Sequence, residues 1–164
     1  MNHVLRFRMF PFAGDAIRRL NEAGLAVIVV TNQSGVARGH FPESLLRDVH
    51  QKMRNELAQV GARLDGVYYC PHSSADVCDC RKPKTGMIKR AARKHGLDVA
   101  RSYVVGDRYG DMELAFRAGA GSILVRSGYG PGDWTWHAKD WPRQPDMVAD
   151  DLQDAAEWIL RQVR

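Results

Sequence analysis

All three cysteines of the chain lie in one short stretch, CPHSSADVCDCRKP (residues 70–83), together with one histidine. The side chains with soft or borderline ligand atoms are Cys70, His72, Cys78 and Cys80. Three thiolates and one imidazole at such short spacing are typical of a closed, tetrahedral Zn²⁺ site. Because four protein ligands leave no position for water, we expect the zinc to shape the loop and not to catalyse. The alternative is three incidental thiols beside a surface histidine.

A second group of polar residues follows the ends of predicted strands. Thr31 and Asn32 end the apolar stretch LAVIVVTN, and Asp107 ends SYVVGD. A hydroxyl group and the compact ammonium of Lys82 suit a phosphate, whereas Asp107 and Asp111 could bring two carboxylates to one Mg²⁺ ion. Each residue also has a simpler structural explanation, since Thr31 and Asn32 could cap a turn and Asp111 could begin a helix. Their common position at strand ends favours a phosphate site.

These residues must be positioned by alternating strands and helices. We predict helices over residues 13–23, 41–61, 85–96 and 110–119. We predict strands over residues 25–32, 64–70, 102–107 and 122–128, and a last short strand and helix within 147–163. This alternation indicates a doubly wound α/β fold with a parallel sheet, in which the strand 25–32 is buried on both faces. The Gly-, Pro- and Trp-rich stretch from Gly128 to Pro145 is predicted to be a long loop.

Composition limits the class of protein. The chain has 164 residues, enough for a single domain with a real core, and its apolar runs are too short to span a bilayer. With no secretory leader in view, a cytoplasmic location is expected, where clustered cysteines more often bind metal than form disulfides. The net charge of +5 suits an anionic ligand. Basic residues form no long run, so a nucleic-acid partner is not expected.

Three stretches in order resemble the haloacid-dehalogenase-type phosphatases: VVTNQSGVARG, YYCPH…CDCRKPKTGM and SYVVGDRYGDMELA. They are most similar to the branch that removes the 7-phosphate from D-glycero-D-manno-heptose 1,7-bisphosphate. The resemblance implies that Thr31 and Lys82 bind the transferring phosphate, with Asn32 in the same substrate site. It also implies that Asp107 ligates Mg²⁺ with support from Asp111, and that the four ligands of the cysteine loop hold structural zinc. The candidates for binding a second anionic group of the substrate are Arg38, Arg81 and Lys84.

One motif of that family is not found in this sequence. The family's D-x-D-G-[TV] motif supplies an aspartate nucleophile and an aspartate general acid and base at the end of the first strand. Here the first acidic residue is Asp15, inside a predicted helix. The resemblance therefore implies that the central strand, between those ending at Asn32 and Asp107, is missing through truncation or decay. Truncation is favoured because RMFPFAGDAIRRL fits the segment that follows the motif; VLRFRMF could form a substitute strand, but without carboxylates.

The function expected for the intact protein is Mg²⁺-dependent hydrolysis of a small phosphorylated sugar, by phosphoryl transfer to aspartate and then to water. The 164-residue chain by itself is expected to be inactive. A monomer with no membrane partner is expected for the intact protein. Three alternatives stay open: a phosphatase of histidinol phosphate or another small phosphomonoester, a non-catalytic binder of a phosphorylated ligand, and a basic zinc module on nucleic acid.

Overall fold

The computed structural model describes residues 4–163, and the chain divides into two compact units, one up to Arg81 and one from Lys82 onward. The first unit contains α1 (Ala13–Glu22), β1 (Ile28–Asn32), α2 (Glu43–Gln59) and β2 (Gly66–Cys70). The second unit contains α3 (Gly86–His95), β3 (Tyr103–Gly106), α4 (Tyr109–Ala118), β4 (Gly121–Val125), α5 (Gly130–His137), β5 (Met147–Ala149) and α6 (Leu152–Gln162). The predicted alternation of strands and helices is confirmed.

The first unit is built on a two-stranded parallel sheet. Strands β1 and β2 pair from Ile28 opposite Gly66 to Asn32 opposite Cys70, so the predicted phosphate-binding strand ends beside the cysteine loop. Both helices bury an apolar stripe, as their spacing predicts. The buried residues of these stripes are Ala13, Ala16, Ile17 and Leu20 of α1, and Leu46, Val49 and Leu57 of α2.

The second unit is built on a three-stranded parallel sheet in the order β3-β4-β5. Strand β4 has a neighbour on each side, and its residues 122–125 are buried. Helix α4 contributes Met112, Leu114 and Ala115 to the same core. This arrangement places the residues that follow β3 and β4 at one edge of the sheet, because parallel strands end on the same side.

The stretch from Gly128 to Pro145 corrects one prediction, because it is not a long loop. It contains α5 and a short 3₁₀ helix, Ala138–Asp140. Two of its three tryptophans pack together: the ring of Trp141 lies 6.0 Å from that of Trp134 and 4.8 Å from that of Tyr109, whereas Trp136 is exposed. Burial of aromatic surface therefore supports helical structure that the local sequence does not indicate.

The N-terminal segment does not form the substitute strand that its sequence allows. Within the described residues 4–10 there is no substitute strand; Val4–Arg6 form a 3₁₀ helix instead. The Lys52 ammonium of α2 donates to the Phe7 carbonyl over 3.1 Å, so this segment lies against α2. Residues 1–3 lie outside the described residues.

Strand β1 corrects a second prediction, since it is half-buried along its whole length and not buried on both faces. In the described part of the chain β1 pairs only with β2, and β3, also half-buried, pairs only with β4. Strand β4, by contrast, pairs on both sides and is buried at residues 122–125. Among the described helices, none combines the length and apolar character needed to cross a membrane.

Candidate functional site

The four predicted zinc ligands converge at the carboxyl end of β2. The ligand atoms of Cys70, His72, Cys78 and Cys80 all lie within 4.8 Å of one another. The sulfur of Cys70 is 3.8 Å from that of Cys78 and 3.0 Å from that of Cys80. The His72 Nδ1 atom is 3.5 Å from the Cys70 sulfur and 3.3 Å from the Cys80 sulfur. The structure brings the four predicted side chains together, and zinc binding stays a prediction.

The spacing of these atoms fits a tetrahedral zinc ion. Zn–S bonds of about 2.3 Å at tetrahedral angles separate two sulfurs by about 3.8 Å, and a sulfur from an imidazole nitrogen by about 3.6 Å. The Cys70–Cys78 and Cys70–His72 separations match these values, whereas the Cys80 sulfur lies closer to Cys70 and His72, at 3.0 and 3.3 Å. None of the three cysteines is in a disulfide. Cys70 and Cys80 are buried, as expected of ligands to a structural ion. The donor set and its spacing therefore suit zinc.

The thiols of the cluster differ in how readily they lose a proton. Burial, together with the neighbouring thiols, raises the pKa of Cys70 to about 12. Burial acts in the same direction on Cys78, but backbone hydrogen bonds from Arg81 and Cys80 outweigh it and lower the pKa of Cys78 to about 7. A buried thiol such as Cys70 gives up its proton only when a cation replaces it, so metal binding here releases protons.

The cysteine loop is held in shape by hydrogen bonds from both of its ends. The Arg81 guanidinium donates to the His72 carbonyl over 3.1 Å, closing the loop across its base. Backbone amides of Gln33 and Ala37 donate to the carbonyls of Cys70 and Pro71, at 2.8 and 3.2 Å. Arg81 is thus engaged with the loop, and the loop is joined to the segment that follows β1.

The segment after β1 carries the other predicted ligand-binding residues of the first unit. The Thr31 hydroxyl accepts a hydrogen bond from the Gln33 side-chain amide over 3.1 Å. Asn32 ends the strand, and Arg38 lies exposed in the turn that follows it. A Cβ at Gly35 would lie 2.3 Å from the Phe41 ring, so any side chain at this position would require that ring to move.

In the second unit the structure joins two predicted site residues directly. The Lys82 ammonium lies 2.7 Å from Oδ1 of Asp111, and the two side chains are only 19% and 11% exposed. The second carboxylate oxygen of Asp111 accepts from the backbone N–H of Arg108 at the start of α4, over 3.3 Å. Asp111 therefore caps its helix, as the structural alternative proposed, and also orients the lysine.

Gly106 makes this approach of α4 to β3 possible. A Cβ at this position would lie 2.3 Å from the Cβ and 2.5 Å from the Cγ of Asp111. Atoms that close repel strongly, so only glycine lets the helix start near the strand end without displacement. Lys84, by contrast, is exposed.

Asp107 follows β3 directly and is held by backbone alone. Its Oδ2 atom accepts a hydrogen bond from the backbone N–H of Tyr129 over 2.9 Å. The Tyr129 ring in turn lies under the Arg108 guanidinium, 3.9 Å from its carbon. Tyr129 and Arg108 are not among the site residues predicted from the sequence. The signal that could have indicated Tyr129 is Gly128, a glycine shortly after β4, the strand that pairs with β3.

Comparison with known proteins agrees with this fold. Residues 79–155 match the family model for HAD-hydrolase-like proteins. The chain belongs to the haloacid-dehalogenase-like phosphatases, in the branch whose curated members are named D-glycero-D-manno-heptose-1,7-bisphosphate 7-phosphatases. The resemblance predicted from the sequence motifs is confirmed.

The relatives are similar over most of their length. The chain is 41% identical to the D-glycero-β-D-manno-heptose-1,7-bisphosphate 7-phosphatase of Pseudomonas aeruginosa, over 92% of this chain and 83% of that protein. It is 40% identical to the Escherichia coli K12 enzyme of the same name, over 98% of this chain and 79% of that protein. The solved D,D-heptose 1,7-bisphosphate phosphatase of B. bronchiseptica, complexed with magnesium and phosphate, superposes with a TM-score of 0.89 at 35% identity, covering 98% and 88% of the two chains.

Proposed function

We propose that this chain carries the metal- and phosphate-binding residues of a phosphatase that removes the 7-phosphate of D-glycero-D-manno-heptose 1,7-bisphosphate. The observation that carries the proposal is identity of about 40% to enzymes of that name over nearly the whole chain. The magnesium and phosphate bound by the B. bronchiseptica relative support Mg²⁺ as the cofactor and a phosphorylated sugar as the ligand.

We assign Mg²⁺ to Asp107. Its carboxylate follows β3, and among the described residues it has only a neutral N–H partner, so its charge is available to a hard cation. The ion would supply positive charge to the phosphate oxygens. Asp111 is instead paired with an ammonium group, which supports an indirect part in the site.

We assign the phosphate to Lys82, whose ammonium Asp111 holds in a mostly buried ion pair. An ammonium fixed in this way can neutralise the charge of a phosphoryl group without being reoriented during the reaction. Thr31 and Asn32 are proposed as further substrate-binding residues at the end of β1. Arg38, Arg81 and Lys84 stay predictions for the second anionic group; for Arg81, the bond to His72 favours a role in shaping the loop.

We also propose that the cysteine loop holds one structural zinc ion. The support is the convergence of four protein ligand atoms, two of them from buried cysteines. A site filled by Cys70, His72, Cys78 and Cys80 has no open position for a substrate or for water. Zinc here would stabilise the loop that precedes Lys82 and take no part in hydrolysis.

The 164-residue sequence contains no D-x-D-G motif, so we propose that this chain alone lacks the nucleophile and does not turn over substrate. Metal and phosphate binding would persist, but no carboxylate would be positioned to attack phosphorus. Loss of a nucleophile that acts together with its neighbours typically lowers turnover by several orders of magnitude. This also favours, as a second candidate, a non-catalytic binder of phosphorylated ligands.

The test is phosphate release from heptose bisphosphate and histidinol phosphate, with and without a chelator, at equal protein concentrations. We expect no turnover by the 164-residue chain and Mg²⁺-dependent turnover by a chain extended with a segment ending in D-x-D-G. Asp107→Asn in the extended chain should abolish that turnover. Preference for histidinol phosphate would assign the other substrate, and saturable binding without hydrolysis by the extended chain would favour the binder.

A further inference from the structure

The turn after β4 approaches the carboxylate of Asp107 unusually closely. Gly128 has a φ of +68°, in the left-handed region that side chains disfavour. A Cβ on Gly128 would lie 2.5 Å from Oδ2 and 3.3 Å from Cγ of Asp107. Two independent restrictions, one of backbone conformation and one of space, therefore require glycine at the same position.

The consequence of this approach is the hydrogen bond from the next residue. The Tyr129 backbone N–H donates to Oδ2 of Asp107 over 2.9 Å, and Tyr129, with a φ of −86°, is the N-cap residue that precedes α5. Its ring is fixed as well, beneath the guanidinium of Arg108 at 3.9 Å. The turn is thus attached to two consecutive residues that follow β3.

We infer that Gly128 and the backbone N–H of Tyr129 are positioning groups that orient the Asp107 carboxylate for a divalent cation. The inference rests on the proposed function, in which Asp107 is the Mg²⁺ ligand. A neutral N–H group fixes one carboxylate oxygen without neutralising its charge, whereas an ammonium would compete with the metal. Oδ1 of Asp107 has no hydrogen-bond or ion-pair partner among residues 4–163 and is left for the cation.

The neighbouring carboxylate shows the opposite arrangement. Asp111 faces the ammonium of Lys82 at 2.7 Å, so its charge is already compensated within the protein. Two carboxylates at the same sheet edge are therefore distinguished by their partners: one is left charged and held by backbone, and one is paired with a cation. The turn at Gly128 creates this difference, because it brings the neutral donor to Asp107.

The test is binding of Mn²⁺, as a probe for Mg²⁺, to the zinc-loaded 164-residue chain, measured by electron paramagnetic resonance of the free ion. Gly128→Ala should weaken Mn²⁺ binding about ten-fold, the lower end of the effect of removing a group that orients a metal ligand. Tyr129→Pro removes the N–H group at a φ near the value of about −65° that proline adopts, and should weaken binding similarly. Tyr129→Ala, which keeps the N–H group, should bind about ten-fold more tightly than Tyr129→Pro.

The matched control is Gly96→Ala, with thermal unfolding recorded for every variant. Gly96 is also left-handed, with a φ of +63°, but a Cβ there would meet nothing within 4 Å. Gly96→Ala should lower the thermal stability of the chain without changing its affinity for Mn²⁺. Weakening by Gly96→Ala as large as by Gly128→Ala, or equal weakening by both Tyr129 variants, would overturn the inference.

Asp107→Asn separates this inference from the proposed function. If Asp107→Asn weakens Mn²⁺ binding but Gly128→Ala and Tyr129→Pro bind like the parent chain, the turn does not position the ligand and the proposed function stands. If Asp107→Asn binds Mn²⁺ like the parent chain, Asp107 is not the ligand and both are wrong.

Discussion

The charge that a site residue of this chain can offer to a ligand depends on its hydrogen-bond or ion-pair partner. Lys82 and Asp107 were both predicted from the sequence as charged groups at an anion or cation site, yet their surroundings differ. Lys82 is held by a carboxylate at 2.7 Å, and Asp107 is held by an uncharged amide at 2.9 Å. The charge that is available to a ligand depends on these partners and not on residue type alone.

The Lys82–Asp111 pair should contribute to stability as well as to binding. Lys82→Met keeps the apolar stem but leaves the mostly buried Asp111 carboxylate without its cation. Removing one member of a fully buried pair costs about 3–5 kcal/mol; since this pair is partly exposed, we expect about 1–3 kcal/mol. Urea unfolding of Lys82→Met and of the double variant with Asp111→Asn measures the coupling. A single variant as stable as the parent chain would contradict the prediction.

Zinc content tests the cysteine loop. We expect one tightly bound zinc per chain in purified protein, and loss of order in residues 70–83 when a strong chelator removes it. Cys78→Ser should reduce zinc retention. Ser74→Ala should not, because Ser74 lies in the same loop but is not one of the four predicted zinc ligands. Metal analysis by mass spectrometry measures the content, and protein free of zinc after growth with the metal would refute the assignment.

Secondary-structure elements are brought together at this sheet edge by glycines that permit close approach. Gly106 lets α4 begin against β3, and Gly128 lets the turn after β4 reach Asp107. Both glycines lie at strand ends, where the ligand-binding side chains of parallel sheets are found. The positions of the functional groups therefore depend on the absence of side chains beside them.

Replacing Gly106 tests this dependence. Gly106→Ala would place its Cβ 2.3 Å from the Cβ of Asp111, so helix α4 must shift, at an expected cost of about 1–3 kcal/mol. Gly110→Ala is the matched control within α4, because a Cβ there meets nothing within 4 Å. It should stabilise the protein by about 0.4–1 kcal/mol. Chemical unfolding compares the two, and equal effects would mean that the close approach is not limiting.

The packing of α2 predicts a pH dependence. Burial, assisted by Arg54, lowers the pKa of His50 below its ordinary value of 6.5. The unfolded chain then binds more protons than the folded one near this pH, so the contribution of neutral His50 is full above about pH 6.5 and is lost as the pH falls. His50→Gln should lose less unfolding free energy than the parent chain between about pH 7.5 and about pH 5.5. A loss equal to that of the parent chain would exclude His50 as a source of acid sensitivity.

At the scale of the whole molecule, the described strands form two parallel sheets, one of two strands and one of three. Within residues 4–163 β1 pairs only with β2, and β3 pairs only with β4, and both are half-buried. The chain spans 83% of the P. aeruginosa relative and 79% of the E. coli relative.

We expect the 164-residue chain to self-associate or to be poorly soluble. The strand that would end in D-x-D-G is not found in this sequence, and strands that lose a neighbour can pair with another chain. Size-exclusion chromatography with light scattering measures the oligomeric state. The control is the chain extended at its N-terminus with a segment that ends in D-x-D-G, which we expect to be a monomer. A monodisperse 164-residue monomer that melts cooperatively would contradict this prediction.

The sequence by itself determined the kinds and order of most elements, the zinc-type donor set and the family. Hydrophobic periodicity and terminal glycines are local signals, and motifs such as CDCRKPKTGM carry their spacing with them. Only the tertiary structure decided that residues 130–137 form a helix, since contacts between Trp134, Trp141 and Tyr109 support it. It also decided that Lys82 pairs with Asp111 and that Tyr129 holds Asp107, because these contacts join residues 22 to 29 positions apart in sequence.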